Sequence, residues 1–108
     1  MLEVTFYRDE HNRFAGISAY GHVDFAAHGQ DIVCAAVSGI LQAARLGLEH
    51  YAGGDLTAFQ EAGEFDVMLD ASRRDVESIQ AILMTAELAI TQVARRFPEH
   101  VSLAHERV

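Results

Sequence analysis

The run from Asp31 to Tyr51, DIVCAAVSGILQAARLGLEHY, constrains the fold most. It is rich in alanine and leucine, and apolar residues occupy much of its circumference, the pattern of a buried helix. Paired glycines in AGGD stop it, because glycine takes the positive backbone angles of a helix C-cap without cost. Such a helix needs apolar partners on more than one side. The flanking segments supply them in a different period.

MLEVTFYR alternates apolar and polar residues, placing Leu2, Val4 and Phe6 on one face of a strand. DEHN supplies turn chemistry, and RFAGISAYGH reads as the returning strand of a hairpin that delivers Gly21 and His22 at its far end. Val23 to Gln30 contains Gly29 and no clear period, and reads as a loop. LTAFQE and EFDVMLDA form a second strand pair around Gly63. An amphipathic helix follows, with Val76, Ile79, Leu83, Ala86, Ile90 and Val93 as its apolar stripe, ended by Pro98. HVSLAHERV reads as a closing strand. The order β-β-α-β-β-α-β is not the strict alternation of a doubly wound fold. It predicts an α+β fold in which a mostly antiparallel sheet is packed by two helices.

The chain has 108 residues, the length of a single domain spanning residues 1–108. Half of the residues are apolar, which excludes an intrinsically disordered chain. No apolar run approaches the roughly 18 residues needed to cross a bilayer, and the N-terminus lacks the regions of a signal peptide. No membrane association and a cytoplasmic location are expected. The lone cysteine fits a reducing compartment.

The formal net charge is −8, and all eight cationic residues are arginines. The adjacent pairs Arg73-Arg74 and Arg95-Arg96 are expected at the two ends of the second helix, too scattered for a basic face. Direct nucleic-acid binding is therefore disfavoured, and a basic protein or peptide suits the surface better.

The chemistry concentrates in GHVDFAAHGQDIVCAAVS, residues 21–38. With Asp31 as N-cap, Cys34 falls at the third helical position, where the helix dipole stabilises a thiolate. His22 lies across the loop at the end of the preceding strand, and the first amides of the helix could serve as oxyanion donors. A buried thiol in an Ala/Val-rich helix is the competing reading. Ser38, one turn after Cys34, either supports the site or bonds back to a helix carbonyl. His22, His28 and Cys34 could supply three zinc ligands, but their spacing matches no strong zinc motif. Phe14, Tyr20 and Phe25 are the aromatics nearest this stretch and candidates to line a pocket, although aromatics at strand positions are more often core.

At these residues the sequence resembles the ribosomal-processing cysteine protease family, also described as YsxB-like. Gly21-His22, Gly29 and DIVCAAVS from Asp31 to Ser38 carry the resemblance. It implies a cysteine endopeptidase that removes a short N-terminal extension from large-subunit ribosomal protein twenty-seven, cutting after an aromatic residue and before a small one. Cys34 would be the nucleophile and His22 the general base, with Gly21, Asp31 and Ser38 in support. A homodimer, a mobile loop over the site at Val23 to Gln30 and no cofactor are implied as well. Val23-Asp24 departs from the small residue and glycine that commonly follow the Gly-His pair. The alternative from a different class is a non-catalytic dimeric module bound to the ribosome, with Cys34 kept for packing.

Overall fold

The computed structural model describes the backbone of residues 1–21 and 28–108 and the side chains of residues 1–21 and 32–108. Five strands and two long helices follow in the expected order: β1 (Leu2–Arg8), β2 (Phe14–Tyr20), α1 (His28–Ala52), β3 (Leu56–Glu61), β4 (Glu64–Leu69), α2 (Glu77–Arg96) and β5 (Val101–Arg107). The strands form one sheet in the order β3-β4-β2-β1-β5. Three of the neighbouring pairs are antiparallel, whereas β5 lies parallel to β1, with Leu2 opposite Val101 and Arg8 opposite Arg107.

That parallel edge follows from the connections. Alternating directions make β4 parallel to β5, and β2 parallel to β3, so each pair needs a crossover, which α2 and α1 provide. Right-handed crossovers put both helices on the same side of the sheet. The result is two layers, with one sheet face under the helices and the other free of them among the described residues.

The core lies between the layers. Leu2, Val4 and Phe6 of β1 are buried with Ile17 and Ala19 of β2 and with Phe65, Val67 and Leu69 of β4. Against them α1 buries Val33, Val37, Leu41, Ala44 and Leu48, and α2 buries Ile79, Leu83, Ala86 and Ile90. Each fully buried Leu, Ile, Val or Phe is worth about 1.5–3 kcal/mol. Val76 and Val93, the ends of the expected α2 stripe, pack partly buried against this cluster. The Phe97 backbone N–H donates to the Val93 carbonyl at 2.9 Å as α2 ends, just before Pro98.

Three sequence expectations need correction. The first helix begins at His28, so Asp31 lies inside its first turn and is not its N-cap, and residues 28–30 of the expected loop are helical. A glycine in the first turn costs about 1 kcal/mol against alanine, too little by itself to exclude a helix there. Second, Ile32–Asp55 is long and apolar enough to cross a membrane by length and composition alone. Its buried stripe from Val33 to Leu48 instead packs against the sheet. Third, Arg73 and Arg74 precede α2 in a short 3-10 turn. Arg73 pairs with Asp55 at 2.8 Å, and Arg74 donates to the Leu69 carbonyl at 2.9 Å.

The tight β1–β2 connection is built on Asp9, which is buried although acidic. Its carboxylate accepts the backbone N–H groups of His11 at 2.9 Å and Arg13 at 3.1 Å, and pairs with the Arg13 guanidinium at 3.0 Å. Desolvation pushes its pKa upward, but these hydrogen bonds and the Arg13 charge outweigh it and lower the pKa to about 2. Across the molecule, the Gln80 side chain of α2 clamps the start of β2. Its Oε1 accepts the Phe14 N–H and its Nε2 donates to the Phe14 carbonyl, both at 2.9 Å.

Candidate active site

The site is assembled at the end of the sheet where β2 finishes and the chain heads for α1. Because neighbouring strands alternate in direction, the starts of β1 and β4 and the ends of β2 and β3 meet there. Gly21 leaves β2 with φ +84°, a left-handed angle that glycine takes without penalty. Its N–H donates to the Gly63 carbonyl at 2.9 Å, which ties it to the β3–β4 turn. A Cβ there would stand 2.5 Å from the Met1 carbonyl oxygen, so the backbone approach also requires glycine.

Between this strand end and α1 lies a cleft of about 130 Å³. Cys34 and Ser38 line its helix side, and Gly21 lines the other. Leu2, Ala19, Leu41 and Phe65 give it an apolar floor, while Gln42, Gln60, Glu61 and Glu64 give it a polar rim. Cys34 is half-buried and forms no disulfide. Its neighbours follow helical spacing: residues 34, 38 and 42 recur every fourth position and share one face.

The structure therefore brings Cys34, Ser38 and Gly21 to one cleft. The side chains of His22 and Asp31 lie outside the described residues, as do those of His28 and Phe25. Cys34 is the seventh residue of α1. It stands one turn deeper than the sequence argument places it, beyond the first turn where free N–H groups and dipole charge concentrate. The helix-start amides are correspondingly a turn away from the thiol. Of the aromatic candidates, Phe14 is a core residue at 2% exposure, and Tyr20 is on the helix-free face of the sheet. The cleft's own described aromatic is Phe65.

Sequence reasoning missed Gln42, Gln60, Glu61, Gly63, Glu64 and Phe65. Gln42 was within reach, since it repeats the four-residue interval of Cys34 and Ser38. The others reach the cleft only through strand pairing. Among the described residues no group of three or more His, Cys, Asp or Glu is placed to hold a metal ion.

A half-buried thiol in the wall of a cleft with an apolar floor and a polar rim is placed where a cysteine nucleophile can meet a bound ligand. Residues 1–102 match the family model described as cysteine protease Prp. The chain belongs to that family and is a cysteine protease. No curated protein matches it. Among solved structures it is similar to SMU.848 from Streptococcus mutans, with 26% identity, a TM-score of 0.82 and coverage of 100% of this chain and 96% of that one. Two structures of an essential ribosomal processing protease Prp from S. aureus share its fold at 20% identity, covering 97% of this chain and 99% of theirs. One holds a covalently linked product peptide, with a TM-score of 0.83, and the other a substrate peptide, with a TM-score of 0.84.

Proposed function

We propose that this protein is a cytoplasmic endopeptidase that removes the N-terminal extension of large-subunit ribosomal protein twenty-seven during ribosome maturation, with Cys34 and His22 as its catalytic dyad. The observation that carries the reading is the position of Cys34. It faces a cleft whose opposite wall includes Gly21, the residue immediately before His22. Membership of the Prp family and the ribosomal processing activity of the S. aureus relatives support it.

In this mechanism His22 takes the thiol proton and the Cys34 sulfur attacks the carbonyl carbon of the scissile peptide. The carbonyl electron pair moves to oxygen. As it returns, the C–N bond breaks and His22 gives its proton to the leaving amine. Water, deprotonated by His22, then hydrolyses the thioester and restores the thiol. Gly21 sets the direction in which the chain enters His22, while Asp31 and Ser38 support the site. The apolar floor at Leu2, Leu41 and Phe65 suits the aromatic residue before the cut. No cofactor takes part in the sequence.

The protein acts as a homodimer in this reading. Ile40 and Ala43 of α1 and Ile82 and Ala89 of α2 line an apolar groove between the two helices, and Leu46 and Leu88 are exposed elsewhere on the same helices, apolar surface of the kind subunits bury.

Mass spectrometry of a peptide spanning the extended N-terminus, incubated with wild-type protein and with Cys34→Ala, tests the activity. Cleavage at one bond by the wild type alone is the expected result. Cleavage by both forms, or by neither, would refute the assignment.

A further inference from the structure

The face of the sheet turned away from the helices is acidic, and its charges are in register. At the cleft end, Glu61 of β3 lies opposite Glu64 of β4, Glu64 opposite Tyr20 of β2, and Tyr20 opposite Glu3 of β1. These four residues form one row across four neighbouring strands, and with strands about 4.8 Å apart the row is about 15 Å long. Asp66 stands one step behind it, beside Phe59 in the neighbouring strand. Alternation along the strands leaves no arginine on this face among the described residues, since Arg8 and Arg107 point to the other side in the pairing register.

Like charges placed directly opposite each other across strands are destabilising. Among the described residues, the Glu61–Glu64 pair carries that cost with no arginine beside it on this face. Tyr20 registers the same field. Its hydroxyl donates to Asp66 at 3.0 Å, and that bond, with desolvation and the charges of Asp66 and Glu64, raises its pKa above the ordinary phenol value. Tyr20 and Phe59 are both exposed there, presenting rings on which a guanidinium can stack.

The row is continuous with the candidate active site, because Glu61 and Glu64 belong both to it and to the rim of the Cys34 cleft. We propose that this row is a docking surface for a strongly basic polypeptide segment, one continuous with the peptide held at Cys34. Lysine and arginine side chains crossing the strand ends would meet Glu61, Glu64 and Glu3 in turn. Nucleic acid would be repelled by the same groups. A second copy docking face to face would set the row against its own carboxylates, so self-association is disfavoured here. The proposal rests on the endopeptidase reading only for the identity of the chain that carries the basic segment.

The test uses the full chain with Cys34→Ala, so that binding is read without cleavage. Fluorescence anisotropy follows a labelled Lys/Arg-rich peptide, with an acidic peptide as comparison. Expected are binding of the basic peptide alone, loss of affinity with added salt, and about tenfold weaker binding when E3Q, E61Q and E64Q are combined. Removing three exposed carboxylates elsewhere, with E49Q, E77Q and E99Q, should leave most of the affinity. Thermal unfolding confirms that both combinations fold.

Absence of binding, or equal losses in the two combinations, overturns the proposal. So does a change in sedimentation of the E3Q/E61Q/E64Q protein, which would make the face a contact between copies. Cleavage by the wild type is scored separately. Intact cleavage with failed docking removes only the docking surface, whereas docking without cleavage removes the endopeptidase reading.

Discussion

Replacing Gly21 by alanine perturbs the backbone position where the chain leaves β2 beside the Cys34 cleft. At φ +84° an L-residue places its Cβ against the following carbonyl oxygen, at a cost of about 1–2 kcal/mol. The added Cβ also meets the Met1 carbonyl oxygen at 2.5 Å, and backbone rather than a flexible side chain must give way. If that shift breaks the Gly21 N–H bond to Gly63, a further 0.5–1.5 kcal/mol or so is lost. Against this, alanine restricts the unfolded chain and returns about 0.4–1 kcal/mol. The net is a destabilisation of about 1–3 kcal/mol, equivalent to a fall in Tm of about 4–15 °C for a chain of this size. Gly39→Ala is the matched control: it sits within α1 with nothing within 4 Å of the added Cβ, and should stabilise by about 1 kcal/mol. Urea unfolding of the two variants, followed by circular dichroism, reads both signs. Gly21→Ala should also lower kcat/KM on the substrate peptide, because it redirects the chain entering His22. A Gly21→Ala protein as stable as the wild type would refute the strain argument.

Gln80→Ala removes both hydrogen bonds to the half-buried Phe14 peptide and should cost about 1–3 kcal/mol, measured as a shift in the urea midpoint at unchanged slope. Leu83→Ala opens a cavity at a fully buried position of α2 and should cost about 2–5 kcal/mol by the same assay. Asp9 has a folded pKa of about 2, below its ordinary 3.8, so its contribution to stability is present above pH 3.8 and is lost as the pH falls through about 2. Unfolding titrations of wild type and Asp9→Asn across that range should show the wild type's advantage shrinking toward acid; a constant difference would contradict the linkage.

Much of the architecture was legible because it is written in local periods. The alternation of Leu2, Val4 and Phe6 and the four-residue stripe through Ile79, Leu83, Ala86 and Ile90 each select one face, and the structure buries those faces. The start of α1 was not legible. Gly29 and the missing period over Val23 to Gln30 suggested a loop, whereas residues from His28 onward are helical. Phe14, a candidate whose strand position favoured the core, is a core residue, and the sequence alone could not separate the two because a buried strand aromatic and a substrate-binding one look alike until the neighbours are known. Phe65, also a strand aromatic, reaches the cleft only because β4 begins beside the end of β2.

The sequence by itself determined the order of the elements, the faces they bury and the segment that carries Cys34, because these depend on residue type and on spacing within a few turns. It also carried the Prp motif, since GH and DIVCAAVS are short contiguous strings. Tertiary structure alone decided the parallel β5, the clamp of Gln80 on Phe14, the walls of the Cys34 cleft and the row from Glu61 to Glu3. Each of these joins residues far apart in the chain. Which strand lies beside which is set by crossover direction and by the packing of both helices on one face, and no local period records it.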